Sequence, residues 1–439
     1  MISDMGTDFD KDRQNGKESS NLTETVLVNR ISVALLTGGA DRPYVFGLAT
    51  ALIAKGAALD LISSDDLDFP EFHGKPGVNF LNLRGDQRTD ASFLSKVFRV
   101  LNYYVKLICY AATAKPRVFH ILWNNKFEHF DRTLLMLYYK FLGKSIALTV
   151  HNVNAGRRDR RDTRLNRLTL KVQYRLADRI FIHTEKMKRE LIDEFGVQAA
   201  RVTVIPFGIN NAVPNTGLTR AEARQRLGIQ EGEKTILFFG NITPYKGLEY
   251  LVAAFQRVQV NDRDFRLIIA GRPDNCEKYW ATIRQTVSKE LRREQVLLRD
   301  EFVPDDETEV YFKAADVLVL PYRHIYQSGV LFLGYSFGLP VLAADVGSLR
   351  DDIVEGKTGF AFKPEDPVEL AKAIQRYFVS ELFTNLNCQR QKIREYAEER
   401  NSWNTVGQIT VTTYVGLLQA LSGMNRDVSS SSLDVKAPS

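Results

Sequence analysis

Residues 316–347 read D-V-L-V-L-P-Y-R-H-I-Y-Q-S-G-V-L-F-L-G-Y-S-F-G-L-P-V-L-A-A-D-V-G, and this stretch decides the fold. Two apolar runs in it, Val317–Leu320 and Val341–Ala344, have the composition of buried parallel strands. Between them, a Gln-Ser-Gly sequence at 327–329 precedes the apolar, helix-like segment Val330–Phe337. The first N–H groups of a helix have no partner within it, and the helix dipole favours negative charge there. Taken alone, the stretch fits an ordinary strand-to-helix turn and a phosphate-binding turn about equally well.

The composition is that of a globular protein with an excess of basic residues. A chain of 439 residues is too long for one hydrophobic core and suggests two or three domains. The net charge of +6 favours anionic partners such as nucleotides, phospholipid surfaces or nucleic acids. Cys109, Cys276 and Cys388 are far apart, which indicates a reducing compartment and no disulfide framework. Without a signal-like or membrane-spanning apolar run, the expected location is the cytoplasm.

The order of apolar runs and helical patterns predicts two α/β units joined by one linker. Strand-like and helix-like segments alternate from Arg30 onward, pause at the Pro- and Gly-containing segment 211–219, and restart at Lys234. We therefore predict an α/β protein with two Rossmann-like, doubly wound domains that face each other across a cleft. The predicted divisions are a disordered leader (1–25), an N-terminal domain (26–212), a C-terminal domain (213–400), a C-terminal helix that could pack back on the N-terminal domain (401–421) and a disordered tail (422–439).

Two positions in the first unit are candidates for ligand contact. The first strand runs into Gly38 and Gly39, and glycine lets a ligand approach the backbone closely. The pattern is not G-x-G-x-x-G, so a dinucleotide site has little support. His151 follows another strand, and side chains at the carboxyl ends of parallel strands line the ligand crevice. A tight edge turn and a structural histidine explain these residues equally well.

The densest basic segment lies between Arg157 and Arg179, where nine basic residues accompany three acidic ones. A solvated helix face is the simpler explanation. An anionic acceptor or an acidic membrane surface would also be attracted, by about 1 kcal/mol for each basic residue near the surface. Nucleic acid is less favoured, because no recognition motif is present and no aromatic residue interrupts residues 157–167. We assign an acceptor or membrane contact to Arg157, Arg158, Arg160, Arg161 and Arg164.

The chain resembles the glycosyltransferases of the B fold (GT-B), in particular the large group of retaining enzymes with nucleotide-sugar donors (glycosyl transferases group 1, family 4 type). The resemblance extends from about Arg30 to Leu421 and depends on the order and spacing of short blocks. These blocks are Gly38-Gly39, Thr149-Val150-His151-Asn152, Ala177–Ile180 with His183-Thr184, Val204–Ile209, Phe239-Gly240 with Tyr245-Lys246-Gly247, Ala314–Asp316 with Pro321-Tyr322, and Gly338–Val341. The resemblance implies an N-terminal acceptor domain and a C-terminal nucleotide-sugar domain.

The resemblance also implies roles for particular residues. Lys246 and the N–H groups of the turn 327–331 would stabilise the negative charge of the departing nucleoside diphosphate. Such enzymes commonly need no metal or other cofactor, since basic side chains and helix dipoles take that role. His151 and Lys246 are the implied catalytic residues. The implied donor-binding residues are Gly38, Gly39, Gly240, Lys246, Arg272, Tyr322, Gln327, Ser328, Gly329, Val330 and Leu331.

The chain departs from the family pattern at the donor site. The family usually has two glutamates where this chain has Ile325 and Leu333, and neither can bind a sugar hydroxyl through its side chain. An arginine usual in the turn before Lys246 is also missing, and Arg272 or Arg323 could supply its charge. We interpret the Gln-Ser-Gly sequence as an alternative donor site.

Three functions remain open from the sequence. The favoured one is a hexosyltransferase-type glycosyltransferase (EC 2.4) that transfers a sugar from a nucleotide-sugar to an anionic or lipid-linked glycan acceptor. The resemblance implies retention of configuration and a place in polysaccharide or glycolipid biosynthesis. We expect peripheral association with the inner face of the membrane and no nucleic-acid partner. The alternatives are a non-catalytic, glycosyltransferase-like binding subunit and a nucleotide-sugar epimerase of the same fold.

Overall fold

The computed structural model of the chain describes residues 31–39, 41–88, 92–158, 161–260 and 262–431, with side chains described as far as residue 420. The predicted leader (1–25), Arg160 and the last eight residues of the predicted tail lie outside the described residues. Within the described part, no helix is long and apolar enough to cross a membrane.

The N-terminal domain contains a parallel sheet of seven strands in the order β3-β2-β1-β4-β5-β6-β7. Its strands are β1 (Ser32–Leu36), β2 (Ala58–Ser63), β3 (Val78–Asn82), β4 (Val118–Ile121), β5 (Ser145–Thr149), β6 (Arg179–Ile182) and β7 (Val202–Val204). Its helices are α1 (Arg42–Ala54), α2 (Phe93–Thr113), α3 (Glu128–Phe130), α4 (Met136–Phe141), α5 (Ala155–Arg158), α6 (Arg164–Leu176) and α7 (Glu185–Phe195). A π-helical turn, Asp131–Leu135, joins α3 to α4, so that residues 128–141 form one helical segment.

Each face of this sheet has its own hydrophobic core. On one face, Leu107 of α2, Met136 of α4 and Leu170 of α6 pack on strand residues such as Ile146. On the other face, the core is formed by α1 and the last helix of the chain. Because both faces are covered, the central strands are mostly apolar and buried, as the sequence predicts for parallel strands.

The C-terminal domain contains a second parallel sheet, of six strands in the order β10-β9-β8-β11-β12-β13. Its strands are β8 (Lys234–Phe239), β9 (Phe265–Ala270), β10 (Val296–Arg299), β11 (Val317–Leu320), β12 (Val341–Ala344) and β13 (Gly359–Phe362). The helices that follow β7 in the chain are α8 (Arg220–Arg226), α9 (Leu248–Gln259), α10 (Glu277–Glu290), α11 (Asp305–Ala314), α12 (Gly329–Ser336), α13 (Pro367–Phe378), α14 (Glu381–Thr384), α15 (Leu386–Arg400) and α16 (Trp403–Ser431). The prediction of an α/β fold with two Rossmann-like domains is confirmed.

The strand order positions the candidate site. In each sheet the order reverses next to the first strand, at β1/β4 and at β8/β11. Ligands of doubly wound sheets bind beyond the carboxyl ends of the strands at this point. The turns that carry Gly38 and Gly240 follow β1 and β8, so both lie at such a reversal.

The last helix, α16, returns to the N-terminal domain and packs on α1. Its first residue, Trp403, fits against Gly47 and Gly208, where an added Cβ would lie 2.0 Å and 2.3 Å from the indole ring. Its indole Nε1 donates to the Ile209 carbonyl at 2.7 Å. The helix continues to Ser431, so the predicted disordered tail does not begin at residue 422. A single glycine such as Gly423 costs a helix only about 1 kcal/mol, which does not end it.

Candidate donor and acceptor site

The donor side is formed by the turn between β11 and α12. Ser328 is the residue before α12, its backbone is extended, and its own side chain makes no capping hydrogen bond. The Ser328 and Tyr322 hydroxyls lie 3.4 Å apart, and both residues are buried. The start of α12 therefore offers backbone N–H groups and the positive end of the helix dipole to a bound anion.

Lys246 lies beside the start of α12. Gly240 has a φ of +94°, and a Cβ there would be 3.0 Å from Lys246 Nζ and 3.6 Å from Val330 Cγ2. Lys246 is only 7% exposed, and this burial lowers its pKa to about 8, although Asp274 opposes the shift. The structure thus brings the ammonium group and the helix start to the same small space, which a side chain at 240 would fill.

The other two predicted sources of positive charge have their backbones beside the turn that carries Lys246, since Ile242 N donates to the Arg272 carbonyl and Arg323 N donates to the Tyr245 carbonyl, both at 2.8 Å. The Arg272 guanidinium is 5.6 Å from the centre of the Phe302 ring, on the exposed surface. Arg323 forms an ion pair with Glu249 at 2.5 Å and donates to the Tyr250 hydroxyl at 3.0 Å. Both side chains thus have partners of their own, and a charge contribution from Arg272 or Arg323 at the donor side stays a prediction.

Gln327 has a partner that the sequence did not predict. Its Nε2 donates to Asp352 Oδ2 at 3.3 Å, and its Oε1 is buried without a hydrogen-bond partner among the described residues. Asp352 is 7% exposed, and desolvation raises its pKa to about 6. Ile325 and Leu333 lie in the hydrophobic core. A polar pair is therefore present at this turn, although the two glutamate positions are apolar.

His151 is held between aromatic rings on the N-terminal side. Its imidazole stacks on Trp123 with ring centres 4.1 Å apart and planes at 4°, and the edge of Tyr44 meets it at 4.7 Å. Burial, with smaller contributions from His183 and His120, lowers the pKa of His151 well below 6.5. The ring is therefore neutral at pH 7.

The hydrogen bonds of His183 assign the tautomer of His151. Burial lowers the pKa of His183 to about 4, so this ring is neutral as well. The Ile205 carbonyl lies 3.4 Å from His183 Nδ1, and a carbonyl only accepts, so Nδ1 carries the proton. His183 Nε2 must then accept from His151 Nδ1 at 3.1 Å. His151 Nε2 is left as a buried acceptor without a partner among the described residues, able to accept from a hydroxyl.

Phe207 connects the two halves of the site. Its ring centre is 4.9 Å from that of His183 and 5.3 Å from that of Phe332, a residue of α12. A Cβ on Gly329 would lie 3.9 Å from the Phe207 ring. The start of α12 and the His151 cluster therefore face each other across one aromatic ring.

Further contacts join the two domains around this site. Lys186 Nζ donates to the Gly347 carbonyl at 3.1 Å, and the Tyr326 hydroxyl donates to Glu190 Oε1 at 2.7 Å. The Arg158 guanidinium lies 4.9 Å from the centre of the Tyr245 ring, next to Lys246. The two sides of the candidate site are thus held in contact by side chains of both domains.

The Gly38-Gly39 turn is packed against two residues of the N-terminal domain. Both glycines have positive φ, and added Cβ atoms would lie 2.6 Å from the Trp123 carbonyl oxygen and 2.1 Å from Arg84 Nη1. Arg84 Nη1 is buried without a hydrogen-bond partner in the described part of the chain. Arg84 is not among the residues predicted from the sequence, although its position just after β3 is a signal that points to the ligand crevice.

A cavity of about 170 Å³ adjoins His151 on the N-terminal side. Its lining combines polar residues with apolar ones. The polar residues include His151, Asn152, Thr149, Asn124, Gln173, Glu128 and Arg132, and the others include Trp123, Leu122, Leu148, Val150 and Leu170. A space with this mixed lining is suited to a hydroxylated ligand.

The predicted basic residues differ in their surroundings. Arg157 forms ion pairs with Glu190 and Glu194, and Arg158 faces Tyr245. Arg161 and Arg164 are exposed, and Arg160 lies outside the described residues. Arg157 therefore has acidic partners within the protein, which the run of arginines in the sequence did not reveal.

Comparison with protein families gives two matches that together span both domains. A model described as Glycosyltransferase Family 4 matches residues 37–213. A model described as Glycosyl transferases group 1 matches residues 233–379. These segments include the Gly38 turn, His151, Lys246 and the start of α12.

Among curated proteins, the chain is similar to a D-inositol 3-phosphate glycosyltransferase of Acidothermus cellulolyticus. The two are 30% identical over 205 residues, which is 46% of this chain and 45% of the relative. The chain thus spans about half the length of this relative and of a second such enzyme, from Streptosporangium roseum. An uncharacterized glycosyltransferase of Methanocaldococcus jannaschii is 26% identical over 376 residues, covering 84% of this chain and 92% of that protein.

Solved structures share the fold at lower identity. Sucrose-phosphate synthase from Thermosynechococcus elongatus superimposes with a TM-score of 0.70 at 20% identity, covering 89% of this chain and all of the other. Anabaena HepE in complex with UDP superimposes with a TM-score of 0.67 at 15% identity, covering 87% of this chain and 98% of the other. With the family models and the two-domain architecture, these comparisons show that the chain belongs to the group 1 glycosyltransferases and has their GT-B fold.

Proposed function

We propose that this protein transfers a sugar from a nucleotide-sugar donor to an anionic or lipid-linked glycan acceptor, with retention of the anomeric configuration. The observation that carries the proposal is the shared space at Gly240, where Lys246 Nζ meets the start of α12. It lies across Phe207 from a neutral histidine cluster. A diphosphate held at the first position would point its sugar toward the second.

The donor half would act by electrostatics. As the bond from sugar to diphosphate breaks, negative charge grows on the leaving phosphate oxygen. A buried ammonium group and unpaired amides at a helix start stabilise such charge, and the low-polarity surroundings strengthen their effect. In this proposal they take the role that a metal ion has in other transferases, so EDTA should leave activity unchanged. The UDP bound by Anabaena HepE supports a nucleoside diphosphate as the ligand.

The acceptor half would act by hydrogen bonding. His151 Nε2 can accept a hydrogen bond from a sugar or acceptor hydroxyl, because its tautomer leaves a lone pair there. The polar cavity beside it would hold the acceptor, and Arg84 supplies a cation near the Gly38-Gly39 turn. The relatives named for inositol 3-phosphate support an anionic acceptor. The acceptor hydroxyl would lose its proton as the new glycosidic bond forms, and the departing diphosphate would take it up.

A non-catalytic binding subunit is the second candidate. It is favoured by Ile325 and Leu333, whose side chains are buried in the core and cannot contact a sugar. The Gln327–Asp352 pair argues against a non-catalytic subunit. The pair keeps a hydrogen-bond-accepting amide oxygen and a carboxyl group at the donor turn. Measured turnover separates the two candidates.

The test combines donor binding with turnover. Calorimetry with UDP, GDP and ADP should find one nucleoside diphosphate that binds, and Lys246→Met should weaken it by roughly 10- to 100-fold, the usual value of a charged hydrogen bond. Turnover of the matching nucleotide-sugars should be lost in His151→Ala while binding of the diphosphate remains. If no nucleoside diphosphate binds, or Lys246→Met binds like the natural protein, the proposed function is wrong. Binding of a nucleoside diphosphate without turnover with any acceptor would favour the non-catalytic binding subunit.

A further inference from the structure

Exposed large apolar side chains are concentrated on one side of the N-terminal domain. Those that the structure describes there are Phe93, Leu94, Val97, Phe98, Leu101 and Val105 of α2, Leu134, Leu137 and Phe141 of the helical segment 128–141, and Leu165 and Leu168 of α6. Phe98 is 73% exposed and Phe141 is 87% exposed. The exposed apolar residues described in the C-terminal domain, such as Val260, Leu298 and Val379, are spread over separate elements. Scattered apolar residues are ordinary on a surface, but a group on neighbouring helices marks an interaction surface.

The three helical segments lie side by side on the same face of the sheet. The Tyr104 hydroxyl of α2 donates to Asp131 Oδ1 of segment 128–141 at 2.9 Å. Arg132 Nη1 of that segment donates to Asn166 Oδ1 of α6, also at 2.9 Å. All three contribute inward residues to one core cluster. Segment 128–141 is therefore the middle of a continuous helical layer.

The exposed apolar residues follow the outward side of each helix. In α2, Leu94, Phe98, Leu101 and Val105 recur at helical spacing, opposite the buried Leu107. In the middle segment, Leu134, Leu137 and Phe141 have the same spacing, and in α6 so do Leu165 and Leu168. We call the outward side of these three segments the three-helix face.

The charge on α2 and α6 is entirely basic. Along their full lengths, 93–113 and 164–176, the two helices contain seven basic residues and no acidic one. These basic residues are Lys96, Arg99, Lys106, Arg164, Arg167, Lys171 and Arg175. Arg99 and Arg167 have acidic partners outside the helices, Asp86 and Asp162. Lys106, Arg164, Lys171 and Arg175 are exposed.

We propose that the three-helix face docks on the surface of an anionic phospholipid bilayer. Helices with apolar and basic residues on their outward side lie in the plane of the interface, with the apolar side chains in the headgroup and acyl boundary. Basic side chains beside them contact the lipid phosphates. A second copy of the chain is a poorer occupant, because a two-fold contact would bring the same basic helices together.

The three-helix face is also close to the candidate acceptor cavity. Glu128 and Arg132 of the middle segment and Gln173 and Tyr174 of α6 line the cavity beside His151. An acceptor anchored in the bilayer would therefore have its head group delivered between two helices that rest on the membrane. This deepens the proposed function by selecting the lipid-linked acceptor, and it rests on that proposal for its biological role.

The test is vesicle sedimentation of the full-length protein without any donor. Vesicles of phosphatidylcholine with phosphatidylglycerol should bind the protein at least ~10-fold more strongly than phosphatidylcholine alone, and added salt should weaken binding. The double substitution Phe98→Asp with Leu101→Asp should lower binding ~10-fold or more. Its matched control is Val379→Asp, an 82% exposed apolar position in the C-terminal domain, which should bind like the natural protein.

The contribution of the basic side chains to vesicle binding is tested by the same sedimentation experiment. Lys171→Glu with Arg175→Glu should weaken binding to the anionic vesicles, whereas Lys278→Glu with Lys289→Glu, exposed positions on α10, should not. All variants alter exposed side chains, and an unchanged unfolding midpoint shows that each is folded. Nucleoside diphosphate binding, measured separately, should be unchanged in all of them, so failure of the donor site is distinguishable from failure of docking.

Three results would overturn the proposal. The natural protein could fail to sediment with anionic vesicles. The Phe98→Asp, Leu101→Asp variant could bind as the natural protein does. Light scattering could reveal a dimer that this variant dissociates, which would make a second copy of the chain the occupant of the three-helix face.

Discussion

The two sides of the candidate site differ in the kind of interaction on which they depend. The donor side has one buried cation and a helix start, Lys246 and α12, placed together by a glycine. The acceptor side is a cluster of neutral rings, in which His151 lies between Trp123, Tyr44 and His183. The first should therefore respond to charge and pH, whereas the second should respond to packing. This difference gives three predictions.

Packing on the acceptor side gives the largest expected effect. Trp403→Ala should lower the free energy of unfolding by ~3–5 kcal/mol, because the indole fills the space over Gly47 and Gly208 and donates to Ile209. Urea unfolding followed by circular dichroism measures this. The control is Phe302→Ala, an aromatic residue that is 59% exposed and should cost little. A loss below about 1 kcal/mol for Trp403→Ala would mean that α16 does not support the acceptor side.

The donor side should lose affinity at alkaline pH. Burial lowers the pKa of Lys246 to about 8, so the free protein loses the ammonium charge above that pH. A bound diphosphate restores the charge, so proton uptake accompanies binding above pH 8. The dissociation constant for the nucleoside diphosphate should be nearly constant below pH 8 and rise by up to about tenfold per pH unit above it.

The Lys246→Arg variant is the control for this pH profile, since arginine stays charged throughout the range. The dissociation constant of this variant for the nucleoside diphosphate should change less with pH than that of the natural protein, whatever its value at pH 7. A natural protein whose affinity is the same at pH 7 and pH 9.5 would show that the ammonium group does not contact the diphosphate.

The smallest effect concerns Asp352 at the edge of the donor side. Desolvation raises the pKa of this carboxyl from 3.8 to about 6, so the folded protein binds the proton more tightly than the unfolded chain does. Its contribution to stability is present below about pH 4 and is lost as the pH rises to about 6. The shift corresponds to at most ~3 kcal/mol of unfolding free energy at pH 7, and the cost of burying the amide offsets part of it. Asp352→Asn should therefore be ~1–2 kcal/mol more stable than the natural protein at pH 7 and almost equally stable at pH 4. Equal differences at both values would contradict the buried position of the carboxyl.

The donor side could largely be predicted from the sequence because its signals are local. The strands Val317–Leu320 and Val341–Ala344 end where the apolar runs end, and α12 begins one residue before the predicted Val330. Lys246 follows β8, and residues beyond the carboxyl ends of the strands line the ligand crevice of a doubly wound sheet. The Gln327–Asp352 contact was missed because the two residues are 25 positions apart and neither is in a distinctive pattern.

The acceptor side could be predicted only in outline. His151 was found from its position after β5, but its neutral state depends on Tyr44, Trp123 and His183, which come from separate elements. Trp403 reaches this region from the last helix of the chain. The run of arginines at 157–164 was misleading in one respect, because the glutamates that pair with Arg157 lie on α7, more than thirty residues away. Contacts of this kind join residues that are far apart in the sequence, so no local sequence pattern indicates them.

The decisive measurement for the shared site of Lys246 and α12 is a crystal structure with a nucleoside diphosphate bound. We expect a β-phosphate within about 3.5 Å of both Lys246 Nζ and a backbone nitrogen at the start of α12, with the open side of that phosphate facing His151. A phosphate bound instead beside Arg272 and Phe302, without contact to Lys246, would contradict it.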